Sequence, residues 1–223
     1  MPQRILLASG NAKKLAELQA LCADLPVEIL SPADLPLGLP EVEEDRPDFE
    51  GNAIKKALSA AEAAAAQLGP GVWALADDSG LCVDALGGAP GVYSARYASL
   101  DCPDAALGNA EDGANNRKLL RELGAVALDP KDRGAAFHCV IAVAQVPSPG
   151  SVATSLFTVA GEVRGTILPE EDGAGGFGYD PLFHHPPSGS SFARLTPEEK
   201  AAVSHRGEAV RRLKDEIRLR LDD

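Results

Sequence analysis

The run Ile5-Leu6-Leu7-Ala8-Ser9-Gly10-Asn11-Ala12-Lys13-Lys14-Leu15 changes its period half-way along. Four apolar residues in succession are too few for a helix and suit a buried strand. The chain breaks at Ser9-Gly10-Asn11, and then Leu15, Leu18, Leu21, Cys22 and Leu25 recur at helical spacing. Strand, tight turn and helix in that order open an α/β protein. Working outward, Pro32 to Phe49 reads as loop, dense in acid between Glu41 and Glu50. Asn52 to Leu68 is largely alanine and reads as a helix with Ile54, Leu58 and Ala61 on one face, ended by Gly69-Pro70-Gly71.

A second buried strand, Val72-Trp73-Ala74-Leu75-Ala76, is expected to deliver Asp77-Asp78-Ser79-Gly80 at its C-terminal end, with Leu81-Cys82-Val83 as a separate extended piece. Gly87 to Val92 is turn chemistry, and Asn115 to Leu123 a short helix. Ala136–Val146 and Val152–Val163, split by Pro147-Ser148-Pro149-Gly150, read as a hairpin of long strands. Thr196-Pro197-Glu198-Glu199 is a capping box with proline at the first helical position, and Val210, Leu213, Ile217 and Leu221 mark a last amphipathic helix. Early βα units and a later hairpin imply a mixed central sheet flanked by helices.

The chain has 223 residues, 45 % hydrophobic and 24 % charged, which suits one globular domain (1–223) with room for two lobes. Folding such a chain can hide roughly 70 % of its surface, so a core needs no staples. No apolar run approaches the ~20 residues of a membrane span, and the start leaves no room for a signal peptide; a cytoplasmic protein is expected. Twenty-one basic against 33 acidic residues leave a net charge of −12. That excess opposes nucleic acid or an anionic membrane as partner, but not a small anion held by local donors and a divalent metal. Cys22, Cys82, Cys102 and Cys139 lie far apart and read as reduced, mostly buried small hydrophobes.

Four places could carry chemistry. At Ser9-Gly10-Asn11-Ala12-Lys13-Lys14, backbone N–H groups of a helix start, a hydroxyl and two lysines suit a phosphate; an ordinary helix cap with solvated lysines is the plainer alternative. Adjacent carboxylates at Asp77-Asp78, at the end of a buried strand, are costly unless a cation or strong donors neutralise them; an Asp that caps the following turn is the plainer alternative. Mg²⁺ would take one or two carboxylates and leave positions for water and phosphate oxygens. Gly173-Ala174-Gly175-Gly176-Phe177-Gly178 satisfies Gly-x-Gly-x-x-Gly, but lacks the strand before and helix after that a dinucleotide fold requires. A flexible loop presenting Phe177 for stacking on a base, and Asp180 to its edge, is the alternative to a glycine loop anchored by a core phenylalanine. Lys200 and Ser204-His205-Arg206-Gly207 add cations and donors near the last helices.

Taken in order, Ser9-Gly10-Asn11-Ala12-Lys13-Lys14, Phe49-Glu50-Gly51-Asn52-Ala53 with Lys56, Ala76-Asp77-Asp78-Ser79-Gly80-Leu81, Gly88 to Tyr97, Asn115 to Leu120, Gly176-Phe177-Gly178-Tyr179-Asp180-Pro181 and Leu195 to Gly207 resemble the inosine/xanthosine triphosphate pyrophosphatase (ITPase) family from end to end. The resemblance implies a two-lobed α/β fold with a substrate cleft, usually a homodimer, that hydrolyses ITP, dITP and XTP to monophosphate and pyrophosphate with Mg²⁺ and so cleans the nucleotide pool. It implies that Ser9, Gly10, Asn11, Ala12, Lys13 and Lys14 contact triphosphate, and that Asp78 is metal ligand and proton acceptor. Ser79 would touch substrate, Phe177, Gly178, Tyr179 and Asp180 would hold base and sugar, and Lys200, His205 and Arg206 would complete the site. Hypoxanthine and xanthine offer a 6-oxo acceptor where adenine has an amine, so donors aimed there reject adenine by about 1–3 kcal/mol.

One position departs. Where the family commonly carries a metal-holding Glu, this chain has Gly51, with Glu50, Glu44, Asp48 and Asp77 near in sequence. The expectation is that the metal leans on Asp78 and phosphate oxygens, with Glu50 facing away because adjacent helical positions point about 100° apart. The competing readings are a nucleotide-binding regulator without turnover, a pyrophosphatase for modified pyrimidine nucleotides, and a phosphomonoesterase, which would release orthophosphate.

Overall fold

The computed structural model describes residues 2–101, 108–127 and 129–222. Cys102 and the core of the 101–113 insert lie outside them. The first strand, β1 (Gln3–Leu7), is followed by α1 (Ala12–Leu21), whose end comes before Leu25. A strand that periodicity did not reveal, β2 (Val27–Leu30), pairs parallel to β1. Only four residues long and half-exposed, it offers too little alternation to be read. Next come α2 (Phe49–Leu68) and β3 (Trp73–Val83), the latter also parallel to β1.

Further along are α3 (Asp112–Val126), β4 (Gly134–Gln145), β5 (Thr154–Ile167), the short β6 (Phe183–His185) and β7 (Ser190–Ser191), then α4 (Pro197–Val203) and α5 (His205–Asp222). The strands hydrogen-bond in the order β2-β1-β3-β4-β5-β6-β7, and β5, β6 and β7 pair antiparallel. Parallel and antiparallel ladders share one open sheet, as the mixed-sheet reading required. The two long strands β4 and β5 are neighbours, joined by the predicted proline–glycine turn region.

Two expectations are corrected. The chain does not leave β3 at Asp77: the strand runs on to Val83, with Leu81 and Val83 fully buried, so Asp77-Asp78-Ser79-Gly80 lies inside one 11-residue strand rather than at its end. The alanine-rich helix begins at Phe49, three residues earlier than read, because Asp48 caps it by accepting the Gly51 N–H at 2.7 Å.

Two compact units divide the chain. The first comprises Met1–Asp78, Val140–Ala160 and Ala209–Asp223. Its core is small on small: Ala53, Ala57, Ala60 and Ala61 of α2 pack on Ala74 and Ala76 of β3 and Ala142 and Ala144 of β4, while Ile54 and Leu58 flank this contact half-buried instead of forming it. Methyl-sized side chains let a helix backbone lie close to a sheet, which makes α2 a firm platform for the polar residues at its start. The second unit comprises Ser79–Cys139 and Gly161–Glu208. Its core is aromatic, with Phe183 4.7 Å from Phe137 and 4.9 Å from Phe192 between ring centroids. Of the cysteines described, Cys22 and Cys139 are buried, Cys82 is half-buried, and none forms a disulfide.

Candidate active site

In the first unit, the turn after β1 feeds α1 through Asn11. Its Oδ1 accepts the backbone N–H of Lys13 at 2.9 Å and of Lys14 at 3.4 Å, and Ser9 Oγ accepts that of Asn11 at 3.3 Å. Asn11 is therefore an N-cap, so two of the helix-start donors already have a partner. Gly10, Asn11, Ala12 and Lys13 stand exposed. Lys14 turns inward instead, and its Nζ lies 2.9 Å from both oxygens of Asp77.

Side chains alternate across a strand, so Asp77 and Asp78 point to opposite faces of β3 and each meets its own lysine. Asp78, 8 % exposed, accepts from Lys56 Nζ at 3.0 Å on Oδ1 and from Asn52 Nδ2 at 3.2 Å on Oδ2. Lys56 also donates to Glu44 Oε1 at 2.7 Å. Burial pushes the Asp78 carboxyl above its ordinary value, Lys56 pulls it back, and the neighbouring Glu44 charge adds to the rise. Burial alone would lower Lys56, but the Asp78 charge and the Glu44 hydrogen bond outweigh it and raise the ammonium.

Glu44 and Asp78 thus present two carboxylates to one ammonium at a partly buried place. The donor set fits a hard divalent cation, for which two carboxylates plus substrate oxygens are an ordinary environment. Glu50 does face elsewhere, its carboxylate accepting from Thr158 Oγ1 at 2.7 Å. A cavity of about 370 Å³ opens beside the cluster, lined by Ser9, Gly10, Leu39, Val42, Lys56 and Ser59 among others.

In the second unit, Ser79 Oγ is buried without a hydrogen-bond partner among the described residues. The glycine-rich segment is clamped rather than slack. A side chain at Gly176 (φ 76°) would overlap the Asp180 carboxylate, and one at Gly175 would meet the Ala193 carbonyl oxygen at 2.7 Å. Phe177 is 71 % exposed, as a stacking platform would be, with Lys200 Nζ 4.3 Å from its ring centroid. Asp180 is not presented to solvent: at 2 % exposure it pairs with Lys200 and accepts the Phe177 N–H at 2.8 Å. Tyr179 is likewise internal, its hydroxyl donating to the Ser94 carbonyl at 2.9 Å, and burial pushes its phenol well up. The Gly178 N–H is held by Asp112 at 2.6 Å. His205 stacks on Phe137 at 4.8 Å and 11°, and half-buried Arg206 follows it at the start of α5.

Several of the groups around Asp78 carried no assigned role in the sequence. Asn52 and Lys56 stand four residues apart on α2, hence on one helix face, and that spacing was the available signal. Glu44, in irregular chain, stands out in the sequence only as an acid near Gly51, and the expectation there is that the metal rests on Asp78 and phosphate oxygens without it.

A mixed-sheet α/β protein with lysine-matched carboxylates on a central strand is a recognisable class. The chain belongs to the Ham1 family, whose model matches residues 5–216. It is 48 % identical over 214 residues to a dITP/XTP pyrophosphatase of Geobacter sulfurreducens, with 96 % of each chain covered. A dITP/XTP pyrophosphatase of Shigella flexneri is 44 % identical over 219 residues, covering 97 % of this chain and 98 % of that one. The solved structure of a HAM1 protein from Coxiella burnetii matches with a TM-score of 0.80 at 40 % identity, over 96 % of this chain and 98 % of that chain. The sequence resemblance to nonstandard purine triphosphate pyrophosphatases is thereby borne out.

Proposed function

We propose that this chain hydrolyses the nonstandard purine nucleoside triphosphates ITP, dITP and XTP to the monophosphate and pyrophosphate, with Mg²⁺, clearing them from the nucleotide pool. The observation that carries the reading is Asp78, buried and held at both oxygens by Lys56 and Asn52 in a chain so close over its whole length to dITP/XTP pyrophosphatases. Asp78 and Glu44 are the residues to hold the metal, and Mg²⁺, when bound, supplies charge neutralisation to the polyphosphate. In the hydrolysis, a water oxygen bonds to the α-phosphorus, the bond from that phosphorus to the α–β bridging oxygen breaks, and pyrophosphate departs in line.

Asp78 orients that water and accepts its proton, its carboxylate held in place by Lys56 and Asn52. Ser9 to Lys14 bind the phosphates, with Asp77 setting the position of Lys14. Phe177 stacks on the base, while buried Asp180 and Tyr179 hold the segment that presents it. Ser79, Gly178, Lys200, His205 and Arg206 complete the nucleotide contacts. A cytoplasmic homodimer without nucleic-acid partners extends the same reading; no described helix is long and apolar enough to cross a membrane.

Product analysis tests the proposal: ITP, dITP, XTP, dUTP, dTTP and ATP are incubated with and without Mg²⁺. Pyrophosphate released from the first three, and a drop of about 10²-fold or more for Asp78→Asn, is expected. Orthophosphate as product, preference for dUTP or dTTP, or undiminished cleavage by the Asp78→Asn chain would overturn it.

A further inference from the structure

We infer that Asn52 is a positioning residue for the reaction, acting through Asp78. It is the one non-alanine among the fully buried residues of α2, and its amide is 0 % exposed. An asparagine is a poor helix former beside the alanines around it, so local helix stability does not account for it. Its two ends do different work. Oδ1 accepts the Arg46 backbone N–H at 3.0 Å, and Nδ2 donates to Asp78 Oδ2 at 3.2 Å.

The orientation of the amide follows from its partners, because a backbone N–H only donates and an ionised carboxylate only accepts. Lys56, one helical turn on, takes the other Asp78 oxygen. Two side chains on one rigid helix face therefore fix the rotation of the Asp78 carboxylate. By holding Arg46, the same amide pins the segment that brings Glu44 to Lys56. Only a group with both an acceptor and a donor can perform the two tasks; alanine loses both, and aspartate keeps the first while setting a second charge against Asp78.

The inference rests on Asp78 being the reacting carboxylate, and the test separates the two claims. Asn52→Ala and Asn52→Asp are made in the parent chain and in the Asp78→Asn chain, with kcat and KM for ITP, residual cleavage at high enzyme concentration, and thermal midpoints as readouts. In the parent, kcat is expected to fall about tenfold or more, with KM within about twofold. In the Asp78→Asn background Asn52→Asp, which keeps the acceptor for Arg46 and so the Glu44 segment, should alter residual cleavage less than about twofold, because the group acted upon is gone. The pair Asn52→Asp with Asp78→Asn restores donor and acceptor, so its thermal midpoint should recover while its cleavage does not. Asn52→Asp stands in should the alanine variant fail to fold. Unchanged kcat in the parent, or equal losses from Asn52→Asp in both backgrounds, would overturn the inference. A fully active Asp78→Asn chain would instead bring down the assignment of Asp78 itself.

Discussion

Gly51 shows how far one residue's meaning depends on its neighbours. Glycine inside a helix ordinarily costs about 0.5–1 kcal/mol relative to alanine. Here a Cβ would lie 2.9 Å from Arg46 Cβ and 3.1 Å from both Arg46 Cγ and Asp48 Oδ1. The absent side chain lets the acidic segment lie against the first turn of α2, where Asn52 and Lys56 hold it. As a sequence letter, Gly51 suggests a missing carboxylate. In the structure Glu44 already supplies one beside Lys56 and Asp78, whereas Glu50 is turned to Thr158 and Asp77 is matched to Lys14. Gly51→Ala is therefore expected to lower the thermal midpoint instead of raising it, and to reduce ITP cleavage by shifting Glu44. Adding Arg46→Gly, which removes the clashing carbon and keeps the backbone N–H, should recover both. A stabilised, fully active Gly51→Ala protein would refute the packing argument.

At the level of elements, the seven-residue helix α4 is short enough to depend on its cap. Thr196 Oγ1 accepts the Glu199 N–H at 3.2 Å, and Glu199 Oε2 accepts the Thr196 N–H at 2.9 Å, with Pro197 at the first helical position. Lys200 on this helix bridges Asp180 and the Phe177 ring. Thr196→Ala should cost about 1 kcal/mol of stability and, by loosening Lys200, raise KM for ITP more than it lowers kcat. Chemical denaturation and steady-state kinetics check it; an unchanged KM would separate the cap from the site. The capping box, α1, α5 and the long β4–β5 pair were legible because each follows one strong rule of spacing or turn chemistry. β2, β6 and β7 were not, since two to four residues carry too few periods to show a pattern. The Asp77-Asp78 pair concealed the continuation of β3 because consecutive polar residues mimic a strand end, although opposite faces and separate lysines make them compatible with a buried strand. Glycines 175 and 176 read as slack and proved to be close-packing sites, a distinction that only neighbouring atoms make.

Charge is a property of the whole molecule: 33 acidic against 21 basic residues give −12 at neutral pH. Many exposed acids are nonetheless favourably placed. The carboxyl of Asp24 is held low by Lys214, that of Asp45 by Lys55, that of Asp101 by Lys118 and Arg121, and that of Asp172 by Arg194. A carboxylate whose folded pKa lies below its unfolded value of about 3.9 favours the folded state at any pH above that value. The advantage disappears as pH falls through the folded pKa, because the unfolded chain then takes up more protons. Between pH 7 and about 5 these four remain ionised in both states, so they leave the midpoint unaffected. Below about pH 4 the thermal midpoint should fall, and Asp172→Asn, lacking one such group, should show a shallower acid limb than the parent. Because these pairs are exposed, about 0.5 M salt should shallow the limb in the parent too, by screening the attraction that lowers each pKa. Calorimetric scans between pH 3 and 7 at two ionic strengths decide the matter: a midpoint that climbs below pH 4 would show that relief of repulsion among the excess acids outweighs the loss of their ion pairs.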